Sequence, residues 1–286
     1  MRTALFTAIA MLAFATNSIL ARLALADSAI DPLAFTGIRL ASGAAVLAMI
    51  LFFRTRSVTR STMAAGGSWP GAVSLLTYAI TFSISYVMVG AGPGALILFA
   101  SVQMSMVVWA IIKGDRPVFL EWLGMGIAIA ALAYLVFPGL TAPPFPGAVL
   151  MVIAGASWGA YSLIGRGSQS PLADTAGNFI RCVPVGAALV LAGVIYSRPS
   201  AAGLAYALAS GALASGLGYS IWYNVLPKLS RTTAAIVQLT VPAIAALGGV
   251  AFIGESLTSR LLIAMAGIIG GVSIALLATE HRRRRS

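Results

Sequence analysis

The sequence predicts an all-α membrane protein with ten transmembrane helices arranged as two inverted five-helix repeats. Of its 286 residues, 59% are hydrophobic and only 9% are charged, whereas charged residues make up about 25% of a soluble domain. The apolar runs are longer than the roughly 10 residues of a membrane barrel strand and do not alternate with polar residues, so helices are favoured. Landmarks of the first half of the chain recur in the second half.

Each apolar run is long enough to cross a membrane, because about 20 helical residues cover a hydrocarbon core of about 30 Å. The first run resembles a secretory signal, but it is long, and its cleavage would remove the first helix of one half. We therefore interpret it as a membrane helix. The spans are expected at residues 4–25, 33–53, 70–89, 94–112, 120–138, 146–165, 176–196, 202–225, 232–253 and 260–279.

Four landmarks occur in the same order in both halves, each displaced by about half the chain. They are an aromatic residue in the first span, an arginine that follows it, an arginine in the second span, and a glycine–acidic pair before the last span. Their order predicts a duplication with units at residues 1–142 and 143–286, the second ending in a basic tail. The pairs are Phe14 with Trp158, Arg22 with Arg166, Arg39 with Arg181, and Asp115 with Glu255.

The basic residues predict the orientation of the chain. The net charge of +11 is carried by Lys and Arg between and after the apolar runs, so we interpret them as topology signals rather than as a nucleic-acid surface. Most fall on one side, which the positive-inside rule assigns to the cytoplasm, while Arg198 and Arg260 fall on the other. Both termini are then cytoplasmic, and five spans per half make the second half inverted, as in many secondary transporters.

Small residues spaced four apart predict close helix crossings. They occur as Gly155 with Gly159, as Gly267 with Gly271, and in the stretch from Ala207 through Gly211 to Ser215. Such spacing lets helix backbones approach each other in lipid, where no hydrophobic drive brings helices together.

The ten spans, the inverted halves and the segment PAIAALGGVAFIGESLTS at residues 242–259 together resemble the EamA family of the drug/metabolite transporter superfamily. The resemblance covers the whole chain. The stretch from Trp158 to Tyr161 and Tyr78 in span 3 are most similar to the bacterial aromatic amino-acid exporter (YddG-like) branch. The resemblance implies export of amino acids or related small metabolites through a central cavity between the halves, by alternating access in the inner membrane.

Polar and aromatic side chains near the middle of the membrane are the candidate substrate ligands, because polar groups that face lipid are costly. For the amides the alternative is a hydrogen bond between helices, and for the aromatics it is packing. The predicted substrate-binding residues are Asn17, Tyr78, Phe82, Gln103, Trp158, Tyr161, Tyr219, Gln238 and Thr240.

Three further residues are candidates for a hinge or gate. Arg39 and Arg181 lie away from mid-depth, so we expect them to snorkel to the nearer surface or to bind carbonyls of a neighbouring helix. The alternative is a gate in which the arginine on the closed side binds carbonyls. Pro242 removes a backbone hydrogen bond and lets span 9 bend. Glu255 and Asp115 are expected to cap the helices that follow them.

Groups that the sequence lacks narrow the function. Asp, Glu and His are missing from the predicted mid-membrane positions, and His281 lies in the tail, so we predict facilitated export rather than proton antiport. We find no catalytic constellation, metal-ligand cluster or phosphate loop, and expect no enzyme activity and no cofactor. The expected partners are a small-molecule substrate and membrane lipid, without nucleic acid, in a monomer or homodimer. A multidrug or cationic-compound exporter is the alternative, followed by a channel.

Overall fold

The structure is a computed structural model that describes residues 2–55, 66–114, 116–137, 142–165, 168–229 and 237–285. Ten principal helices fill these ranges. They are α1 (Arg2–Leu25), α2 (Pro32–Thr55), α3 (Trp69–Met88), α4 (Ala91–Ile112), α5 (Phe119–Val136), α6 (Phe145–Gly165), α7 (Pro171–Tyr196), α8 (Ala201–Val225), α9 (Thr240–Ile253) and α10 (Ser259–Arg285).

Within the described residues, nine of these helices are long and apolar enough to cross a membrane, and α9 is a shorter apolar helix. The predicted all-α membrane fold with ten helices is confirmed. The largest difference from the expected spans is at α9, for which residues 232–253 were predicted. Its regular part begins at Thr240, and residues 230–236 lie outside the described part of the chain.

Local sequence explains where several helices begin. The hydroxyl of Ser68 accepts a hydrogen bond from Gly71 N at 3.1 Å at the start of α3. At the start of α8, the hydroxyl of Ser200 accepts one from Gly203 N at 3.0 Å. Asp31 accepts from Leu33 N at 2.8 Å ahead of α2. These side chains satisfy backbone amides that have no acceptor in the first turn of a helix.

The small residues lie where helices cross closely, as predicted. A Cβ atom added to Gly155 would lie 2.5 Å from the carbonyl oxygen of Leu98 in α4, and one added to Gly271 would lie 2.5 Å from the carbonyl oxygen of Gly124 in α5. Gly211 of α8 lies against the backbone of Arg39 in α2. Only glycine permits these backbone distances.

The principal helix contacts join the first five helices to the last five. Helix α2 packs against α7, α3 against α6, α1 against α8, α4 against α9, and α5 against α10. The buried hydrophobic core contains side chains from both groups of five helices.

Helix α8 is irregular in its middle. Ser210–Leu217 adopt π-helical geometry between the regular segments Ala201–Ala209 and Gly218–Val225. Short π segments inside α-helices are uncommon and often occur at functional sites. This segment places Ser210 and Ser215 against the side chains of α1 and α2.

Candidate functional site

A narrow cavity lies at the centre of the bundle, between α1, α3, α4, α6 and α8. Its empty space, including the part open at its mouth, is about 370 Å³. Helices from both groups of five contribute to its wall, which is therefore shared between the two predicted repeats. The lining residues are Phe14, Asn17, Ser18, Tyr78, Phe82, Leu98, Phe99, Trp158, Ala214 and Tyr219.

Aromatic rings form much of the cavity wall, with Trp158 among them. Its ring centroid lies 5.0 Å from that of Tyr78, 5.1 Å from that of Tyr219 and 5.3 Å from that of Tyr161. Phe14 meets Tyr219 edge to face at 5.8 Å. Such ring pairs contribute about 0.5–1.5 kcal/mol each beyond the area they bury. The wall can therefore contact apolar groups and, through ring faces, cationic ones.

A chain of buried polar groups runs beside this wall. Ser210 Oγ donates a hydrogen bond to Asn17 Oδ1 at 2.6 Å, and Asn17 Nδ2 donates to the Tyr78 hydroxyl at 3.4 Å. Arg39 donates from Nη2 to the same hydroxyl at 3.0 Å and from Nε to Ser215 Oγ at 3.3 Å. The chain connects α8, α1, α3 and α2, and then returns to the π segment of α8.

Arg39 is the largest difference between the predicted and the observed site. It is only 2% exposed, so the predicted snorkelling to the membrane surface is wrong. Its guanidinium carbon lies 5.1 Å from the ring centroid of Tyr78 and 4.8 Å from that of Phe82. The physical reason is the close approach of α8 to α2 at Gly211, which surrounds this side chain with protein instead of lipid.

One end of the bundle is fastened by α7. Asp174 Oδ1 accepts a hydrogen bond from Gly67 N at 2.8 Å, and Asn178 Oδ1 accepts from Ser68 N at 2.8 Å. Arg181 Nη1 donates to the carbonyl oxygen of Gly66. Binding a carbonyl was one of the roles expected for Arg181. These contacts hold the segment 66–68, which leads into α3, against a helix of the second group of five.

The other end is fastened by an ion pair between α1 and the α9–α10 turn. Arg22 Nε lies 3.2 Å from Glu255 Oε1, and Arg22 Nη1 donates to the carbonyl oxygens of Tyr86 at 3.1 Å and Val87 at 3.3 Å. Both oxygens of Glu255 accept from Ala91 N at 2.9 Å. The ends of α1, α3 and α9 and the start of α4 therefore meet at the ion pair of Arg22 and Glu255.

The role predicted for Glu255 needs correction. It caps α4, whereas α10, the helix that follows it, begins with the Thr258 hydroxyl accepting from Leu261 N at 3.2 Å. The turn after α9 adopts a left-handed conformation at Gly254 and directs Glu255 back toward the bundle. The corresponding residues Asp115 and Arg166 lie outside the described residues.

The remaining predicted residues divide between the site and its surroundings. Phe82 lines the cavity, and Tyr161 packs behind Trp158 beside a second pocket that also contains Asp174 and Asn178. Gln103 is 4% exposed but does not reach the cavity wall.

Three predicted residues of span 9 lie away from the cavity wall. Thr240 is exposed, its hydroxyl donates to the carbonyl oxygen of Val237 at 2.6 Å, and it does not line the cavity. Gln238 is half-buried just before α9 and does not line the cavity. Pro242 lies in the first turn of α9, and the helical conformation is interrupted at Leu239. A proline there has no N–H to donate to the preceding turn.

Sequence reasoning missed the serines of the site. Ser18 lines the cavity, and Ser210 and Ser215 complete the polar chain. The available signal was a pair of hydroxyl residues near the middle of an apolar span. The small-residue spacing of that stretch predicts only helix packing.

Comparison with known proteins identifies the family. Residues 145–277 match the model of the EamA-like transporter family. An uncharacterised protein of Pseudomonas aeruginosa is 48% identical over 284 residues, which cover 99% of this chain and 98% of that protein. The chain belongs to the EamA family. The predicted family, within the drug/metabolite transporter superfamily, is confirmed.

This EamA protein is similar to other transporters over most of its length. The threonine/homoserine exporter RhtA of Escherichia coli is 29% identical over 82% of this chain and 78% of its own length. The uncharacterised transporter YwfM of Bacillus subtilis is 26% identical over 91% of this chain and 89% of its own length. A crystal structure with 20% identity superposes with a TM-score of 0.63 over 95% of this chain and 99% of its own, which shows a shared fold. This EamA protein is therefore a non-enzymatic, multi-pass inner-membrane transporter of small molecules.

Proposed function

We propose that this EamA protein exports amino acids or related small metabolites by alternating access between two inverted halves, at residues 1–142 and 143–286. The main support is that residues of both halves line the central cavity, and that contacts between the halves hold each end of the bundle closed. A carrier must break such contacts at one end while it keeps them at the other. The pairing of every helix of the first half with one of the second supports this arrangement.

The similarity to RhtA, which is named as an exporter of threonine and homoserine, supports a small amino acid as substrate. With both termini in the cytoplasm, as we propose, Arg22 and Glu255 lie at the outer end and Asp174 and Arg181 at the inner end. Among the described residues, no Asp, Glu or His lines the cavity. This supports facilitated transport, since proton-coupled carriers use such a group to bind the proton.

Export of cationic compounds is the second candidate, and the aromatic wall favours it. The buried guanidinium of Arg39 beside that wall opposes it, because like charges repel strongly where water is excluded. The two candidates therefore predict opposite preferences for anionic and cationic solutes.

The test is counterflow in proteoliposomes with a panel of radiolabelled amino acids and quaternary amines. We expect saturable exchange of one or more small amino acids. Trp158→Ala should change the order of preference among them, because it removes the ring that contacts Tyr78 and Tyr219. Trp122→Ala is the matched control, since Trp122 is 52% exposed on α5 and lies away from the cavity. Uptake without saturation or exchange would indicate a channel and contradict the proposal.

A further inference from the structure

The geometry points to Arg39 as the residue that binds the carboxylate of the transported solute. This inference rests on the proposed function and goes beyond it. It restricts the substrates to small molecules that carry a carboxylate, with α-amino acids foremost. In the empty carrier, the hydroxyl of Tyr78 takes the place of the substrate carboxylate on Arg39.

The guanidinium of Arg39 is incompletely hydrogen-bonded. Nη1 of Arg39 is buried and has no hydrogen-bond partner among the described residues. Nη2 and Nε donate to the hydroxyl groups of Tyr78 and Ser215, which are neutral acceptors. Buried charged groups in proteins are normally paired and fully hydrogen-bonded. A carboxylate ligand would provide both the missing acceptor and the missing charge.

Arg39 has no carboxylate in ion-pair contact within the part of the chain that the structure describes. In the described part of the chain, Arg22 pairs with Glu255 and Arg282 pairs with Glu121, and neither ion pair involves Arg39. The guanidinium carbon of Arg39 instead lies 5.1 Å from the ring centroid of Tyr78 and 4.8 Å from that of Phe82, and both rings are uncharged. Among the residues that the structure describes, no Asp or Glu of the cavity wall faces this positive charge. The planar guanidinium matches a carboxylate in a two-pronged arrangement that an ammonium cannot form.

Arg39 lies next to the cavity, behind the side chain of Tyr78. Tyr78 separates Arg39 from the cavity, because its side chain lines the cavity and its hydroxyl also accepts from Arg39. The other hydrogen bond to this hydroxyl, from Asn17 Nδ2, is long at 3.4 Å. A carboxylate that enters the cavity can take the place of the Tyr78 hydroxyl on Nη2 and reach Nη1 as well. Asn17 Nδ2 would then donate to the same carboxylate.

The opposite wall suits the other end of an amino acid. The rings of Trp158 and Tyr219 lie beside Tyr78 and offer faces that attract an ammonium group. An α-amino acid placed this way has its carboxylate on Arg39 and its ammonium against the rings. An amine without a carboxylate would meet the same positive charge with nothing to neutralise it.

The experiment measures how matched compounds compete with radiolabelled threonine for counterflow by the full chain. The set is threonine, its methyl ester, the amino alcohol threoninol, and lactate, which has a carboxylate but no ammonium. For the wild type we expect threonine to compete about 10- to 100-fold better than the ester or the alcohol, the range of a hydrogen-bonded charge pair. Lactate should compete better than threoninol.

Variants separate a binding role from a structural one. Arg39→Gln should abolish the preference for the acid, and Arg39→Lys should keep it with a KM raised about 10-fold, because the charge remains and the fork is lost. Tyr78→Phe should lower the KM for threonine about 2- to 10-fold, because no hydroxyl must be displaced. If Arg39 had only a structural role, Tyr78→Phe should weaken transport, because it removes an acceptor of the Arg39 guanidinium. Arg54→Gln, at the exposed end of the same helix, is the control and should match the wild type.

The outcomes distinguish this inference from the function on which it rests. If amino acids exchange but esters and alcohols compete equally well, Arg39 does not bind the carboxylate, while the proposed function stands. If amines exchange and amino acids do not, the proposed function is wrong, and the carboxylate site is wrong with it. If lactate-like acids exchange and amino acids do not, the site stands and the substrate class changes. Should Arg39→Gln fail to fold, the wild-type competition and Tyr78→Phe decide.

Discussion

Replacing Glu255 by Gln should weaken the closure of the end of the bundle that contains Arg22. The substitution removes the charge that pairs with Arg22 at 3.2 Å, but it keeps an oxygen that can accept from Ala91 N. The side chain of Arg22 is 22% exposed and that of Glu255 is 19% exposed. The free energy of this ion pair should therefore lie between that of an exposed pair, about 0–1 kcal/mol, and that of a hydrogen bond to a charged group, about 1.5–3 kcal/mol. We expect a loss of about 1–2 kcal/mol from the closed arrangement.

That loss corresponds to a roughly 5- to 30-fold increase in the population open at this end. The assay is the labelling rate of Ser18→Cys by a membrane-impermeant maleimide, in a Cys182→Ser background. Ser18 lines the cavity about one helical turn from Arg22 and is 1% exposed. Its labelling requires this end to open, and the rate should rise by about the same factor in the Glu255→Gln variant.

The matched control is Glu121→Gln, which removes the charge from a second Glu–Arg pair, formed with Arg282 at 2.8 Å. That pair joins α5 to α10, away from the cavity, so the labelling rate at position 18 should stay unchanged. Labelling in right-side-out and inside-out vesicles also tests the proposed orientation. An unchanged or slower rate in Glu255→Gln would refute the closure role of this carboxylate.

Three further predictions concern the packing and the polar contacts. Gly211→Ala should lower the free energy of unfolding by about 1–3 kcal/mol, because the added Cβ would lie 2.2 Å from the carbonyl oxygen of Arg39. Thermal unfolding measures this loss. The control Gly126→Ala, which has open space around the added Cβ, should show no loss. Asn178→Ala should speed hydrogen exchange of the Ser68 amide, which loses its acceptor at 2.8 Å, and unchanged exchange would contradict the fastening by α7. Ser210→Ala should cost about 1 kcal/mol of stability by breaking its 2.6 Å bond to Asn17, and an unaltered melting temperature would refute this.

The ten helices could be predicted because lipid imposes a simple length requirement on the sequence. A span needs about 20 apolar residues, and the boundaries follow from the charged and capping residues between spans. The small-residue spacing also identified real crossings, since Gly155 and Gly271 contact neighbouring backbones. These features depend on local sequence and on the solvent, and not on how distant helices pack.

The site was predicted only in part because depth along a helix does not say which way a side chain points. Counting from span ends found Asn17, Tyr78 and Trp158, which line the cavity. The same counting put Arg39 at the surface, because the close crossing with α8 that buries it depends on distant residues. Glu255 was misassigned for a similar reason. The sequence predicts that Glu255 caps the adjacent helix, whereas the amide that it binds, Ala91 N, belongs to the other half of the chain.

The π-helical segment of α8 has a mechanical consequence for the carrier. A π turn contains more residues than an α turn, so winding Ser210–Leu217 into regular α-helix would rotate Gly218–Val225 relative to Ala201–Ala209. This rotation would separate the ring of Tyr219 from that of Trp158 and would break the hydrogen bond between Arg39 and Ser215. One change in helix geometry would therefore disrupt the aromatic wall of the cavity and the contacts of the buried arginine at the same time.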